Sequence, residues 1–335
     1  MSRCSEPGYR ILAARILRKQ VKQLAQHLEG IRLGEDIEAV HRARVASRRL
    51  LAALGIFRAC WKRKQLAPWK KQIRRLAQNL GEARDCDVLI EFLISSLASI
   101  SDRALAPGVA SLLSHVERRR QWIQPRVTRA IDRFERSGVL KSLRSSVRRT
   151  LTKLKGVVYV AGKHAHGHAA KRLHKGLGRL LEESSGLADP GQHDRHHAMR
   201  IATKRLRYTM ELAGPMYAGN LAEASEAVKR LQALLGEIHD CDVWGMNIDE
   251  FAREEAGAIQ LYFGGPQRFE RFRPGLDYLR AERAEHRQRV FEQLAVFWRK
   301  LKDLEVWERL EHILESATAQ SSLQVPALAE VARRA

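Results

Sequence analysis

The sequence predicts an all-α protein made of two related halves, each resembling a four-helix bundle. Three observations predict it: apolar residues recur three and four apart over long stretches, alternating β-branched runs are scarce, and two strings return in the same order about half a chain later. The apolar period places helices over 9–29, 35–58, 63–97, 107–136, 138–152, 166–184, 193–213, 219–255 and 276–317. The gaps carry turn chemistry, because Gly30 to Asp36, Ala106-Pro107-Gly108, Ser184 to Gln192 and Gly264-Gly265-Pro266 read as connectors. In the last helix Val290, Leu294, Phe297, Leu301 and Leu304 recur at heptad-like spacing and read as one bundle seam.

The repeat sets the organisation. His41-Arg-Ala-Arg-Val-Ala-Ser-Arg-Arg-Leu50 returns as His197-Ala-Met-Arg-Ile-Ala-Thr-Lys-Arg-Leu206, an offset of 156. Leu80-Gly-Glu-Ala-Arg-Asp-Cys-Asp-Val88 returns as Leu235-Gly-Glu-Ile-His-Asp-Cys-Asp-Val243, an offset of 155. Two strings kept in order at nearly one offset predict homologous halves over 9–155 and 156–318, with tails at 1–8 and 319–335. About 150 residues of helix per half is the size of a four-helix bundle with long helices.

The 335 residues, 44% of them hydrophobic, suffice for a sizeable core. Lys and Arg number 60 against 38 Asp and Glu, a net charge of +22, which favours polyanionic partners: nucleic acid, anionic membrane or condensed phosphate. Cys4, Cys60, Cys86 and Cys241 form no C-x-x-C pair and no disulfide framework, as expected of a reducing cytoplasm. No window approaches the ~20 apolar residues of a membrane span, and the first ten residues lack an export signal's apolar stretch. A cytoplasmic protein without membrane partners is expected.

The charge is organised. On a helical wheel with His41 at zero, Arg44 falls near 300° and Arg48 near 340°, beside the apolar face of Ala43, Ala46, Leu50, Leu54 and Phe57. Arg42 and Arg49, near 90°, are expected to face solvent. His197, Arg200 and Lys204 repeat the stripe, and Arg207 extends it. Cations at a core's edge are costly unless carboxylates or a bound anion neutralise them, and few acids share this face. Arg15, Lys19 and Lys22 form another stripe, the offset matches Lys171 and Lys175 to Arg15 and Lys19, and Lys71, Arg74 and Lys229 add cations on the third helix of each half. Turned toward one groove, these residues would give a positive channel suited to a linear polyphosphate. A single basic residue of this kind is more often a solvated helix face, but a duplicated core alone does not account for His and Arg kept in both copies.

The strings His-x-x-Arg-x-x-x-Arg-Arg-Leu, Lys204-Arg205-Leu206-Arg207-Tyr208 and the paired Leu-Gly-x-x-x-Asp-x-Asp-Val resemble the CHAD family, the conserved histidine α-helical domain, over about residues 9 to 318. The resemblance implies two four-helix bundles related by a pseudo-twofold axis, a basic groove or pore, and binding of inorganic polyphosphate. It also implies association with polyphosphate granules and their proteins, and for some members with bioplastic granules. Carried over by motif, the binding positions are His41, Arg44 and Arg48, then His197, Arg200, Lys204 and Arg207. Leu51 departs from the pattern where the second copy has Arg207, and the second Leu-Gly string has His239 where the first has Arg84, another departure from symmetry. The Glu-x-Glu-x-Lys signature of the triphosphate tunnel domain often fused to such chains is absent from this sequence.

Other chemistries have less support. Asp85/Asp87 and Asp240/Asp242 read as ion-pair partners that orient cations rather than as a magnesium site, and Cys86 and Cys241 as small buried residues. The histidines His164, His166, His168 and His174, then His193, His196 and His197, cluster along the chain without the convergence zinc requires, so no metal or cofactor is expected. No phosphate-binding glycine loop and no nucleophile elbow occurs, and nothing activates a nucleophile beside the stripes, so the sequence predicts a binding protein and not an enzyme. Nucleic acid is the alternative ligand, or an accessory role to a phosphotransfer enzyme; Tyr208 alone offers stacking in the stripe, which disfavours reading of bases. His197 beside a phosphate would gain a proton near pH ~6.5 and tighten binding in mild acid.

Overall fold

Several helix ends fall at prolines and glycines, as at Pro7, Gly34, Pro107, Gly264 and Pro274. In the computed structural model, which describes residues 6–34, 37–157 and 163–317, the described residues form helices joined by short turns and contain no strand. Met1–Ser5 and residues 318–335, the greater part of the expected tails and Cys4 with them, lie outside the described residues. Helix α1 (Pro7–Leu33) starts on Pro7, where a missing N–H costs nothing. It stops at Gly34, whose φ of 76° lets its N–H reach the Gly30 carbonyl at 3.2 Å. The first half continues with α2 (Ile37–Ile56), α3 (Arg63–Ser99), α4 (Ala106–Arg136) and α5 (Val139–Lys153). The second contains α6 (Lys163–Glu183), α7 (His193–Ala213), α8 (Ala222–Phe263), α9 (Arg273–Asp303) and α10, over 306–317.

Neighbours in sequence are neighbours in space. α1 packs on α2, α2 on α3 and α3 on α4; α6 packs on α7, α7 on α8 and α8 on α9 in the same order. α5 returns to α1, so the first half has a fifth helix beside its four long ones. Trp61 and Trp69 fix it, donating to Ser146 at 2.9 Å and Ser142 at 3.0 Å. One apolar core runs through both halves, from Tyr9, Phe57 and Trp69 to Phe251 and Leu294.

The helix expected over 276–317 is two helices. The chain breaks at Leu304 and Glu305, where Glu305 takes a φ of 50° and Leu304 is 46% exposed, so the seam ends at Leu301. Turning there packs Trp307 against Trp298 with tilted rings whose centroids are 5.6 Å apart and sends Leu310 and Leu314 into the core.

The halves meet mainly through α2 on α7, α4 on α9 and, more lightly, α2 on α6. The second rests on Pro107-Gly108 and Pro274-Gly275, which open α4 and α9. A Cβ on Gly108 would stand 2.1 Å from the Phe272 carbonyl oxygen, and one on Gly275 would stand 2.1 Å from that of Leu105. The stretch read as a connector at Gly108 is thus the start of a helix whose backbone touches its counterpart. Gly108→Ala is expected to lower stability by about 1–3 kcal/mol or more, because backbone must move to admit the methyl group. Chemical denaturation checks it, and an unchanged midpoint would show that the crossing tolerates a side chain.

Candidate anion-binding site

Packing of α2 on α7 sets the two duplicated stripes against one another. Arg44 and Arg48 on α2 act electrostatically on Arg200 and Lys204 of α7, so the two copies form one cluster. The other wall comes from the second duplicated string: Arg84 and Asp85 on α3, His239 and Asp240 on α8. Arg44 donates from Nη1 to the Ala77 carbonyl at 3.1 Å. Its guanidinium lies over Gly81, where a Cβ would stand 3.0 Å from the same nitrogen, which gives the Leu-Gly step of the first string a physical role.

The site is overloaded with positive charge. Arg44, Arg48, Arg84, Arg200 and Lys204 share it with Asp85 and Asp240, and among the described residues neither carboxylate closes an ion pair. Burial, then repulsion from Arg48, Arg84 and Arg200, holds Arg44 down to about 10. Burial, then Arg200, Arg48 and Arg44, holds Lys204 down to about 7. Arg200 is lowered in the same way, by burial first. Arg84 Nη1 and Arg200 Nε are buried without a hydrogen-bond partner. Buried donors normally find acceptors, so these two nitrogens mark where an anion's oxygens would fit. His41 lies at the exposed rim, lowered by desolvation and by Arg84. His197, also exposed, has its Nδ1 3.2 Å from Nδ1 of His239, which burial and Arg200 push down to about 4.

Other expected site residues stand apart. Arg207 is paired with Glu211 at 3.0 Å, and Arg49, expected to face solvent, reaches the same carboxylate at 3.0 Å, because the solvent side of α2 there is covered by α7. Lys229 is exposed and paired with Glu226 at 3.1 Å. Arg15 and Lys19 on α1 and Lys171 and Lys175 on α6 are exposed. So are Lys71 and Arg74, at least ten residues before Arg84 and therefore about 15 Å from it along α3.

The two acids of each Asp-x-Asp string do different work. The first faces the cations, while the second clamps helices. Asp87 accepts from Arg120 of α4 at 2.7 Å, Arg120 continues to Gln124 at 2.8 Å, and Gln124 donates to the Ile31 carbonyl of α1 at 2.7 Å. In the second half Asp242 accepts from Arg287 of α9 at 2.6 Å, and Arg287 also donates to the Pro190 carbonyl at 2.8 Å. Burial pushes the thiols of Cys86 and Cys241, between those acids, up to about 11. His166 and His196 are tied to the carbonyls of Met216 and Gly186, and no cluster of three potential metal ligands occurs among the described residues, which exclude the His164 side chain. None of the described helices is long and apolar enough to cross a membrane.

Comparison with known proteins agrees with this architecture. The family model of the CHAD domain matches residues 15–249, a shorter span than the resemblance read from the motifs. The fold is similar to the crystal structure of the CHAD domain from the plant Ricinus communis, at 27% identity and a TM-score of 0.56, covering 82% of this chain and 90% of that one. It is also similar to PptA from Streptomyces chartreusis, at 16% identity and a TM-score of 0.56, covering 86% and 98%, a likeness of fold alone. Among curated proteins none matches.

Proposed function

Since this chain belongs to the CHAD family, we propose that it binds inorganic polyphosphate in the cluster between α2 and α7 and holds it without cleaving it. One observation carries the reading: five partly buried cations meet two unpaired carboxylates, with donors on Arg84 and Arg200 left open. A polyanion laid along the stripe would supply the missing counter-charge over ~10 Å of helix axis, with successive phosphate oxygens meeting successive cations. Duplex nucleic acid shares the charge but keeps its phosphates on a wide surface, and it fits a recessed cluster poorly. The same reading puts the protein in the cytoplasm at polyphosphate granules, where it would link the polymer to granule-associated proteins.

The test is binding of long-chain polyphosphate at near-physiological salt with duplex DNA as competitor. The wild type is expected to resist excess DNA. Arg44→Ala/Arg200→Ala is expected to lose at least about 100-fold in affinity, since each charge-assisted hydrogen bond is worth ~1.5–3 kcal/mol, with helical content unchanged. Equal displacement by DNA, or an unaffected double variant, would reduce the net charge to a diffuse field. Polyphosphate length should stay constant on incubation with magnesium; shortening would indicate an enzyme.

A further inference from the structure

Beyond the far end of the α2 stripe lies a second group of cations. Arg58 follows α2 in a short 3-10 turn (Arg58–Cys60), Lys70 and Arg74 lie on α3, and Arg172 reaches over from α6. Lys70 and Arg172 are half-buried. The Arg172 guanidinium rests on the backbone of α2 at Gly55, where a Cβ would stand 3.1 Å from Nη1. The charges acting on Lys70 are Arg172, Arg74 and Arg58, and burial together with this repulsion lowers both Lys70 and Arg172. No carboxylate takes part, and among the described residues none of the four side chains closes an ion pair or hydrogen bond.

Position ties this group to the stripe. Gly55 stands one heptad beyond Arg48 on the same face of α2, ~10 Å along the axis. Between them is Leu51, where the second stripe has Arg207. Arg172 therefore brings in from α6 a cation that α2 itself lacks. The duplication supplies an internal control. At the repeat offsets, Arg172, Arg58 and Lys70 correspond to Ile16, Gly214 and Ser225, and Lys229, the counterpart of Arg74, is already paired with Glu226. A charge group that the duplicated scaffold itself required would occur at both repeat positions, and this one, three cations of the first half with Arg172 of the second, occurs once.

We propose that Arg58, Lys70, Arg74 and Arg172 form a second phosphate-binding pocket at the junction of α2, α3 and α6, which takes a further phosphate of an extended polyphosphate or a separate short oligophosphate. The inference rests on the polyphosphate reading of the central cluster and extends it to chain length. From His41 to Gly55 is ~20 Å of helix axis, so only a chain that spans this distance engages both sites. Long chains then gain affinity through the second contact, whereas short ones fill the two sites independently.

Calorimetric titration with tripolyphosphate and with long-chain polyphosphate separates the cases. The wild type is expected to bind two tripolyphosphate molecules, and Lys70→Gln/Arg172→Gln and Arg44→Ala/Arg200→Ala one each. Long-chain affinity should fall at least about tenfold in Lys70→Gln/Arg172→Gln, the loss of one charged hydrogen bond or more. One tripolyphosphate per wild-type chain, with Lys70→Gln/Arg172→Gln unchanged for both ligands, overturns the pocket and leaves the central site intact. Loss of binding in Lys70→Gln/Arg172→Gln alone, with Arg44→Ala/Arg200→Ala neutral, supports the pocket and removes the central site. Should the first variant fail to fold, Arg58→Gln/Arg74→Gln, at two exposed positions, carries the same test.

Discussion

Raising the pH from 7 to 9 is expected to weaken polyphosphate binding by about tenfold or more, and Lys204→Arg to remove most of that dependence. Lys204 faces Arg200, Arg48 and Arg44, with Asp240 as its one opposing charge, and in the free protein these neighbours and burial hold it at about 7. A polyanion beside it favours the ammonium form, so the bound protein keeps a proton that the free protein has lost above neutrality. Binding thus takes up a proton at Lys204, and affinity must fall as the pH rises through the free-state value. Arginine keeps its charge throughout. The free protein has the opposite linkage: between about 7 and Lys204's ordinary value of 10.5 the unfolded chain binds more protons there, so this residue makes the fold more stable as pH rises. His239, whose Nδ1 lies 3.2 Å from that of His197, is held at about 4 by burial and Arg200 and stays neutral from pH 5.5 to 8. Calorimetry at pH 8 in buffers of different ionisation enthalpy measures the proton uptake. Zero uptake with a flat affinity from pH 7 to 9 would remove Lys204 from the ligand's field.

The helical fold and the two stripes were legible because they rest on local period and repetition, which a single sequence displays; that the stripes meet depends on α2 packing against α7, which no repeat offset states. Heptad spacing continued on paper through Leu304, but a turn at Glu305 follows from what α10 must bury, and that depends on tertiary neighbours. Arg49 shows the same limit: a wheel gives the side a residue faces, and α7 then covered that side and supplied Glu211. Repeat offset alone links the cations on α1, α3 and α6, and offset does not state which helix faces turn inward. No motif marks Arg172, because its role depends on Gly55 in the other half, more than a hundred residues away. The two roles within Asp-x-Asp were hidden for the opposite reason, since residues two apart on a helix point in different directions and the string cannot say what stands on each side.

Removing the Arg120 side of the helix clamp, as Arg120→Met, is expected to destabilise the fold by about 3–5 kcal/mol at pH 7, the cost of a buried charge left without its partner. Asp87 is 2% exposed and Arg120 14%, so solvent screens the pair little. Burial already raises the Asp87 carboxyl above its ordinary value, with Arg120 working against that rise. Without Arg120 it should climb further. The folded variant then binds a proton more readily than its unfolded chain, so its deficit should shrink as the pH falls from 7 toward 5. Asp87→Leu/Arg120→Met, which removes both charges, should recover most of the loss, although Gln124 keeps only its bonds to the carbonyls of Ile31 and Arg32. Denaturation of the three proteins across that pH range decides the matter. If Arg120→Met loses little, or loses the same amount at pH 5 as at pH 7, then packing rather than the Asp87 charge sets the angle at which α3 meets α4. If the deficit follows the carboxylate, the second acid of the string is a structural element whose work is to fix the wall that presents Arg84 and Asp85 to the ligand.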